Sequence, residues 1–229
     1  MIDFRAVQGP ADFYFLRHGE SEGNDARVLQ GRLDYPLTEA GREQARRASD
    51  WLAGRGIGRL LSSPLARARQ TAEILAERLE LSEVEIRDEL NELDIGLFTG
   101  LTTAQIRERH PEAWRRFQLE SWEGVPGAER IESLAARSEA LWRLLSGPQA
   151  RGPAALCVTH SGILQWVLKV TWGCRTWMPV VPMGNCGICL FRVDNRPDAE
   201  PPRYYTEWSL INHRPLGGPQ ADEHLFLKR

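Results

Sequence analysis

Lysine is almost missing from this chain. Of 29 basic residues in 229, only Lys169 and Lys228 are lysine, and the rest are arginine. A large charge of one sign is missing too, since 31 acidic residues leave a net charge of −2. That excludes a global pull toward nucleic acid or a lipid surface, so neither is expected as a partner. No apolar run approaches the roughly 20 residues of a membrane-spanning helix. Met1-Ile2-Asp3-Phe4-Arg5 shows no basic segment followed by an apolar one. No signal peptide is read there, and a cytoplasmic protein is expected. Cysteine is scarce, at four, too few for a disulfide scaffold. Cys186-Gly187-Ile188-Cys189 has the spacing of a redox or zinc pair, but it lies in a strand-like run, 187–193, with no second ligand pair. Both thiols therefore read as small buried apolar groups.

What is present is ordinary globular material. The hydrophobic fraction of 42% over 229 residues suffices for one large core. Asp12-Phe13-Tyr14-Phe15-Leu16-Arg17 reads as a first strand over 13–17. Thr38 fits an N-cap, and Ala45, Ala48 and Leu52 then recur at helical spacing until Gly54, Gly56 and Gly58. Residues 59–63 read as a second strand, with Pro64 at the first position of a helix striped by Ala68, Ala72, Leu75 and Leu79. A short strand at 85–87 follows. The polar, Trp-containing stretch 97–130 reads as an insertion or lid. A helix at 131–146, a doubly buried strand at 154–159, a helix after His160, and strands near 187–193 and 204–211 complete the pattern. Residues 214–229 read as a loose tail. The alternation predicts an α/β three-layer sandwich around a mostly parallel sheet, as a single domain over 1–229.

Chemistry concentrates at strand ends. Arg17-His18-Gly19 ends the first strand and His160 ends the strand at 154–159. In open α/β sheets ligands bind at that carboxyl edge. Arginine offers a planar fork for phosphate, imidazole a nucleophile or base, and glycine a close backbone approach. Arg67 falls in the opening turn of a helix, where free N–H groups also favour anions. Either histidine alone would pass for a structural residue. Two of them at equivalent strand ends suggest a phosphoryl-transfer site built on histidine.

Five blocks extend this: Arg17-His18-Gly19-Glu20-Ser21; Gln30-Gly31 through Asp34-Tyr35-Pro36-Leu37-Thr38-Glu39-Ala40-Gly41; Ser62-Ser63-Pro64-Leu65-Ala66-Arg67-Ala68-Arg69-Gln70-Thr71-Ala72; Glu92-Leu93-Asp94-Ile95-Gly96; and Thr159-His160-Ser161-Gly162. In this order they resemble the histidine phosphatase superfamily, also called phosphoglycerate mutase-like, over roughly residues 13–195. The resemblance implies a phosphoglycerate mutase-like fold. It implies that His18 attacks phosphorus and carries a transient phosphohistidine, while Arg17, Arg67 and His160 surround the phosphoryl group. It implies that Glu92 protonates the leaving oxygen and then activates water. Substrate contacts are implied for Arg17, Asn24, Gln30, Gly31, Arg67 and Ser161. Neither a metal nor another cofactor is called for, and the expected partner is a small phosphorylated metabolite.

Mutase-type members carry Tyr-Gly and Leu-Asn-Lys after the catalytic acid. Here Ile95 stands for the tyrosine and Thr102-Thr103 for Asn-Lys. Val125-Pro126-Gly127-Ala128-Glu129 resembles the Pro-Gly-Gly-Glu of phosphatase-type members, apart from Ala128. A phosphatase is therefore expected before a cofactor-dependent mutase, with a catalytically inactive binding protein of the same fold as the non-enzyme alternative. His160-Ser161-Gly162 lacks the glycine that a serine-hydrolase elbow needs, because Thr159 is there. Gly54-x-Gly56-x-Gly58 follows a helix, not a strand, which argues against dinucleotide binding. Trp114, Phe117 and Trp122 are candidates for either a substrate wall or lid packing. The cluster Arg107, Arg109, Arg115 and Arg116 reads as a solvated face. His110, His213 and His224 are not expected to act in catalysis. Eight tryptophans leave material for an apolar interface, so a homodimer is allowed for.

Overall fold

The first strand of the chain is its central one. In the computed structural model, which describes residues 2–7, 10–147 and 154–215, β1 (Ala11–Arg17) lies between β4 (Ala154–Thr159) and β5 (Ile188–Val193). With β2 (Ile57–Ser62), β3 (Glu85–Ile86) and β6 (Thr206–His213) they form a six-stranded sheet in the order β3-β2-β4-β1-β5-β6. The first four are mutually parallel, while β5 and β6 are antiparallel to their neighbours. The expected mostly parallel α/β sheet is therefore the observed one.

The strands are apolar on both faces because helices cover both. Phe13 and Phe15 of β1 join Cys157 of β4 and Phe191 of β5 in one core, with α6 (Ile131–Leu145) and α7 (Ser161–Lys169). Tyr14 and Leu16 join Leu156, Val158 and Ile188 in the other, against α2 (Glu39–Leu52) and α3 (Ala66–Arg78). Each such side chain contributes about 1.5–3 kcal/mol by leaving water. Trp142 anchors the first core. Its ring meets Phe4, Phe13, Phe15 and Phe191 edge-on, and its indole N–H donates to Val167 O at 2.9 Å.

Local chemistry sets the element ends. A helical turn α1 (Glu22–Asp25) is closed by a Ser21/Asn24 capping box. Thr38 caps α2 as expected, accepting from Gly41 N at 3.0 Å. That helix must begin close to the strand edge, since a Cβ on Gly41 would lie 2.0 Å from Glu20 O and one on Gly19 would lie 2.4 Å from Gly41 O. Only glycine lets these two backbones touch.

Two expected element boundaries need correction, the start of α3 and the bounds of the last strand. Pro64 does not open α3, which starts at Ala66 with Leu65 as N-cap. Proline favours an extended residue before it, and the chain stays extended through Leu65, so that Asp34 Oδ1 takes the Ala66 N–H at 2.5 Å. The stretch 97–130 carries two helices of its own, α4 (Thr103–Arg109) and α5 (Pro111–Glu120), divided where His110 meets Pro111. Phe117 and Trp122 pack edge-on against Phe98, and Trp114 stacks on Phe117. Of the arginines there, Arg115 and Arg116 pair with Glu112 and Glu120 on the surface, and Arg107 covers Trp114. The last strand extends two residues past the expected 211. The tail from 216 on, with His224, lies outside the described residues.

All four cysteines are free; Cys157, Cys186 and Cys189 are buried, and Cys174 is half-buried. Among the described residues no helix is long and apolar enough to cross a membrane.

Candidate active site

Three neighbouring parallel strands end in a row, and each delivers one polar side chain. The ladder runs one residue past each strand end, through His18 N to Thr159 O at 2.9 Å and Ser63 N to Val158 O at 3.0 Å. His18, His160 and Ser63 thus stand side by side. The two imidazole centroids are 5.0 Å apart, and both rings are almost fully buried.

The protonation pattern follows from the partners. His18 Nδ1 lies 2.6 Å from Gly19 O. A carbonyl only accepts, so Nδ1 carries the proton and Nε2 keeps its lone pair. That lone pair faces Arg67 Nε at 3.3 Å. His160 Nε2 is 2.7 Å from Ser63 Oγ, which also accepts the Leu65 N–H at 3.3 Å. The serine hydroxyl can give its own proton to Nε2, which leaves the other imidazole proton on Nδ1. Among the described residues, His160 Nδ1 and Arg17 Nε are buried and have no protein partner.

Arg67 is held from three sides. Its Nη1 and Nη2 donate to Leu33 O at 2.7 Å and Gly31 O at 2.8 Å, while Nε points at His18. Thr71, one turn along α3, takes the Gly19 N–H at 3.1 Å and gives its own proton to Arg67 O at 2.7 Å. Burial lowers the Arg67 pKa to about 10 against the pull of Glu92 and Asp34, so it stays cationic at neutral pH. Arg17, also lowered by burial, donates through Nη1 to Met183 O. Burial, then Arg67 and Arg17, hold the His18 pKa well below 6.5. His160 is lowered likewise, by burial first and then by Arg67 and His18.

A stability consequence follows. The unfolded chain protonates its imidazoles near 6.5 and the fold resists doing so. Below that pH the unfolded state therefore binds more protons. Stability is fully present above about 6.5 and falls as pH drops, by up to ~1.4 kcal/mol per pH unit for each histidine. The melting temperature is expected to decline between pH 6.5 and 5, above the usual carboxylate range. A His160→Gln variant should show a shallower decline, and an equal slope would contradict it.

Glu92 completes the group from below α7. Its carboxylate accepts from Leu93 N at 2.7 Å, Ile163 N at 3.1 Å and Gly162 N at 3.2 Å. It occupies the helix N-terminus, where negative charge is favoured. Its charge is felt at both Arg17 and Arg67.

The expected residues thus divide. Arg17, His18, Arg67, Glu92 and His160 converge. Gly31 contributes its carbonyl to Arg67. Asn24 Oδ1 accepts from Ser21 N at 3.1 Å and Asn185 Nδ2 at 3.2 Å. Gln30 lies behind Ser21, whose hydroxyl it accepts at 2.9 Å, and so supports the α1 turn. Ser161 begins α7 and is partly exposed. Sequence reading gave no role to Ser63, Thr71, Met183 or Asn185. Thr71 carried a signal, one helical turn after Arg67. Asn185 donates to His18 O at 3.2 Å from 167 positions away, and nothing local announces it. Among the described residues no group of three or more His, Cys, Asp or Glu side chains is placed to hold a metal ion.

A buried imidazole with an unprotonated ring nitrogen, set among cations at the carboxyl edge of the sheet, defines a histidine-centred anion site in an α/β enzyme. The chain belongs to the histidine phosphatase superfamily (branch 1), whose family model matches residues 13–198. A protein of Salmonella paratyphi B named "Probable phosphoglycerate mutase GpmB" is 32% identical over 179 residues, 76% of this chain and 81% of its own. A mycobacterial glucosyl-3-phosphoglycerate phosphatase of known structure is 28% identical, with TM-score 0.74, over 89% of this chain and 99% of its own. YhfR of Bacillus stearothermophilus is 25% identical at TM-score 0.74, covering 90% of this chain and 100% of its own.

Proposed function

We propose that this protein is a metal-independent phosphomonoesterase acting through a phosphohistidine on a small phosphorylated metabolite, in the cytoplasm. The observation that carries the reading is the His18 ring, pinned through Nδ1–H to Gly19 O with its Nε2 lone pair among Arg67, Arg17 and His160. His18 Nε2 attacks phosphorus in line, forming the N–P bond as the ester P–O bond breaks. Arg67 Nε, Arg17 Nε and His160 Nδ1 are the donors available to the phosphoryl oxygens, where fixed charge stabilises the transition state most. Glu92, a carboxylate at rest, takes the proton of the incoming phosphomonoester monoanion and gives it to the leaving oxygen. It then takes one from the water that attacks the phosphohistidine and returns it to the phosphate, which leaves as the monoanion with His18 and the Glu92 carboxylate restored.

Hydrolysis is favoured over mutase chemistry by two positions. Ile95, where mutase-type members have tyrosine, is 4% exposed in the core. Thr102 spends its side chain capping α4 with Gln105. Neither offers a group to a bisphosphorylated intermediate. The phosphatase names of structurally similar proteins support this, while the mutase name of the Salmonella relative keeps the second reading in play. A panel of phosphomonoesters, assayed with and without 2,3-bisphosphoglycerate and with EDTA, tests it. EDTA-resistant phosphate release is expected. Isomerisation that requires the bisphosphate would replace the hydrolase reading.

Gly162→Ala is a second check. An added Cβ would stand 2.5 Å from Glu92 Oε1 and push the carboxylate from its place. kcat on an alkyl phosphate is expected to fall roughly tenfold or more, with the fold retained, as steady-state kinetics beside circular dichroism would read. Unchanged kinetics would dissociate the seat of Glu92 from turnover.

A further inference from the structure

The carboxylate of Glu129 gathers five donors although it is almost wholly buried. Arg137 grips it bidentately, Nε to Oε1 at 3.1 Å and Nη2 to Oε2 at 2.8 Å. Ser133 Oγ donates at 2.9 Å, Arg32 Nη2 at 3.0 Å and Asp94 N at 3.4 Å. Both arginines then reach on to the backbone that carries Glu92. Arg137 Nη1 donates to Asn91 O at 2.6 Å and Glu89 O at 3.0 Å, and Arg32 Nε donates to Glu92 O at 3.1 Å. Every polar contact of this group thus ends on segment 89–94 or on the start of α6.

Arg32 has a further property that Arg137 lacks. It sits between Gly31 and Leu33, the two residues whose carbonyls hold Arg67. One side of this short loop therefore fixes the phosphoryl clamp, and the side chain of its middle residue fixes the main chain of the acid.

We propose that Arg32 and Glu129 are positioning residues, forming a strut that sets Glu92 in register with Arg67. The inference rests on the phosphatase reading. The two groups must act on opposite ends of one breaking P–O bond, Arg67 on the phosphoryl oxygens and Glu92 on the departing one. A loop that holds both keeps their separation constant while substrate enters. A misplacement of about 1 Å costs on the order of 100-fold, so such a strut carries kinetic weight even where it adds little stability. Arg32 suits that description, because its side chain is 43% exposed and exposed ion pairs contribute little to folding. The planar fork is essential, since Nε and Nη2 serve different partners at once.

The test separates positioning from plain support by the leaving group. p-Nitrophenolate departs with little help from an acid, whereas the alkoxide of glycerol 3-phosphate needs protonation. kcat/KM reports only steps up to the phosphohistidine, which excludes the later hydrolysis from the comparison. For Arg32→Ala, kcat/KM on glycerol 3-phosphate is expected to fall roughly tenfold or more, and on p-nitrophenyl phosphate by less than about twofold. Glu129→Gln, which keeps shape but loses charge, should give the same ester-dependent pattern. In a Glu92→Gln background, Arg32→Ala should add no further loss. Equal losses on both esters, or an undiminished Arg32→Ala effect without the acid, would overturn the strut. A wild-type protein that cleaves neither ester would instead overturn the phosphatase reading, and the strut with it.

Discussion

Replacing His18 by alanine is expected to abolish turnover, lowering kcat by at least about a thousand-fold. Among the described residues no other side chain is poised to take over. His160 stands 5.0 Å away, centroid to centroid, but its Nε2 is committed to Ser63 Oγ. The alanine protein should remain folded, since His18 makes only a local bond through its ring to Gly19 O and an approach to Arg67. It should also lose part of the stability decline below pH 6.5, because one imidazole that resists protonation is gone. Two measurements check this: steady-state phosphate release, and acid-labile labelling from a radioactive phosphodonor, which should vanish in the variant. Turnover above a tenth of wild type would remove His18 from the chemistry.

Arg67 carries the second large effect, and here the conservative replacement is the informative one. Two of its nitrogens hold backbone carbonyls and only Nε faces His18. Arg67→Ala is expected to cost roughly 10²–10³ in kcat/KM, as for loss of one oriented donor. It also strands two carbonyls, at about 1–3 kcal/mol each when buried, so the melting temperature should fall visibly. Arg67→Lys keeps the charge but offers one nitrogen for three directions. It should recover less than about tenfold of the loss. A lysine variant near wild-type activity would mean that charge alone, without the fork, does the work. Weakened protection of the protein by inorganic phosphate against heat would report the same defect independently of catalysis.

The sequence was legible where chemistry sits at the end of a strong pattern. Phe13 to Leu16 and Leu156 to Val158 are continuous apolar runs, so their ends could be located. Both histidines, Arg17 and, after a helix start, Arg67 followed from that. Glu92 rested on the motif order alone, since segment 89–94 has no periodicity; its place is set by Arg137, Arg32 and the α7 N-terminus. Strand direction left no signature. The pattern of β5 is the same whichever way it runs, yet its antiparallel course makes its beginning, not its end, face the site. Met183 and Asn185 therefore entered from a loop that pattern reading could not orient. The stretch 97–130 hid two short helices, because their apolar stripes are interrupted at His110-Pro111 and rich in arginine. Pro64 misled through a sound rule, since the contact between Asp34 and Ala66 lies 32 positions apart in the chain.

The central place of β1 has a consequence for how the molecule is made. Its edges are satisfied only by β4 and β5, and Arg17 meets its Met183 partner across 166 positions. During synthesis the run Phe13-Tyr14-Phe15-Leu16 emerges before either of its neighbours and stays unpaired until β4 is made. Pairings of such long range slow folding, and an unpaired apolar strand invites aggregation in the interval. His18 thus follows a strand that is made well before both of its partners and is enclosed only when they arrive. Chain fragments lacking β5 are expected to be both insoluble and inert, because β1 then keeps one edge open.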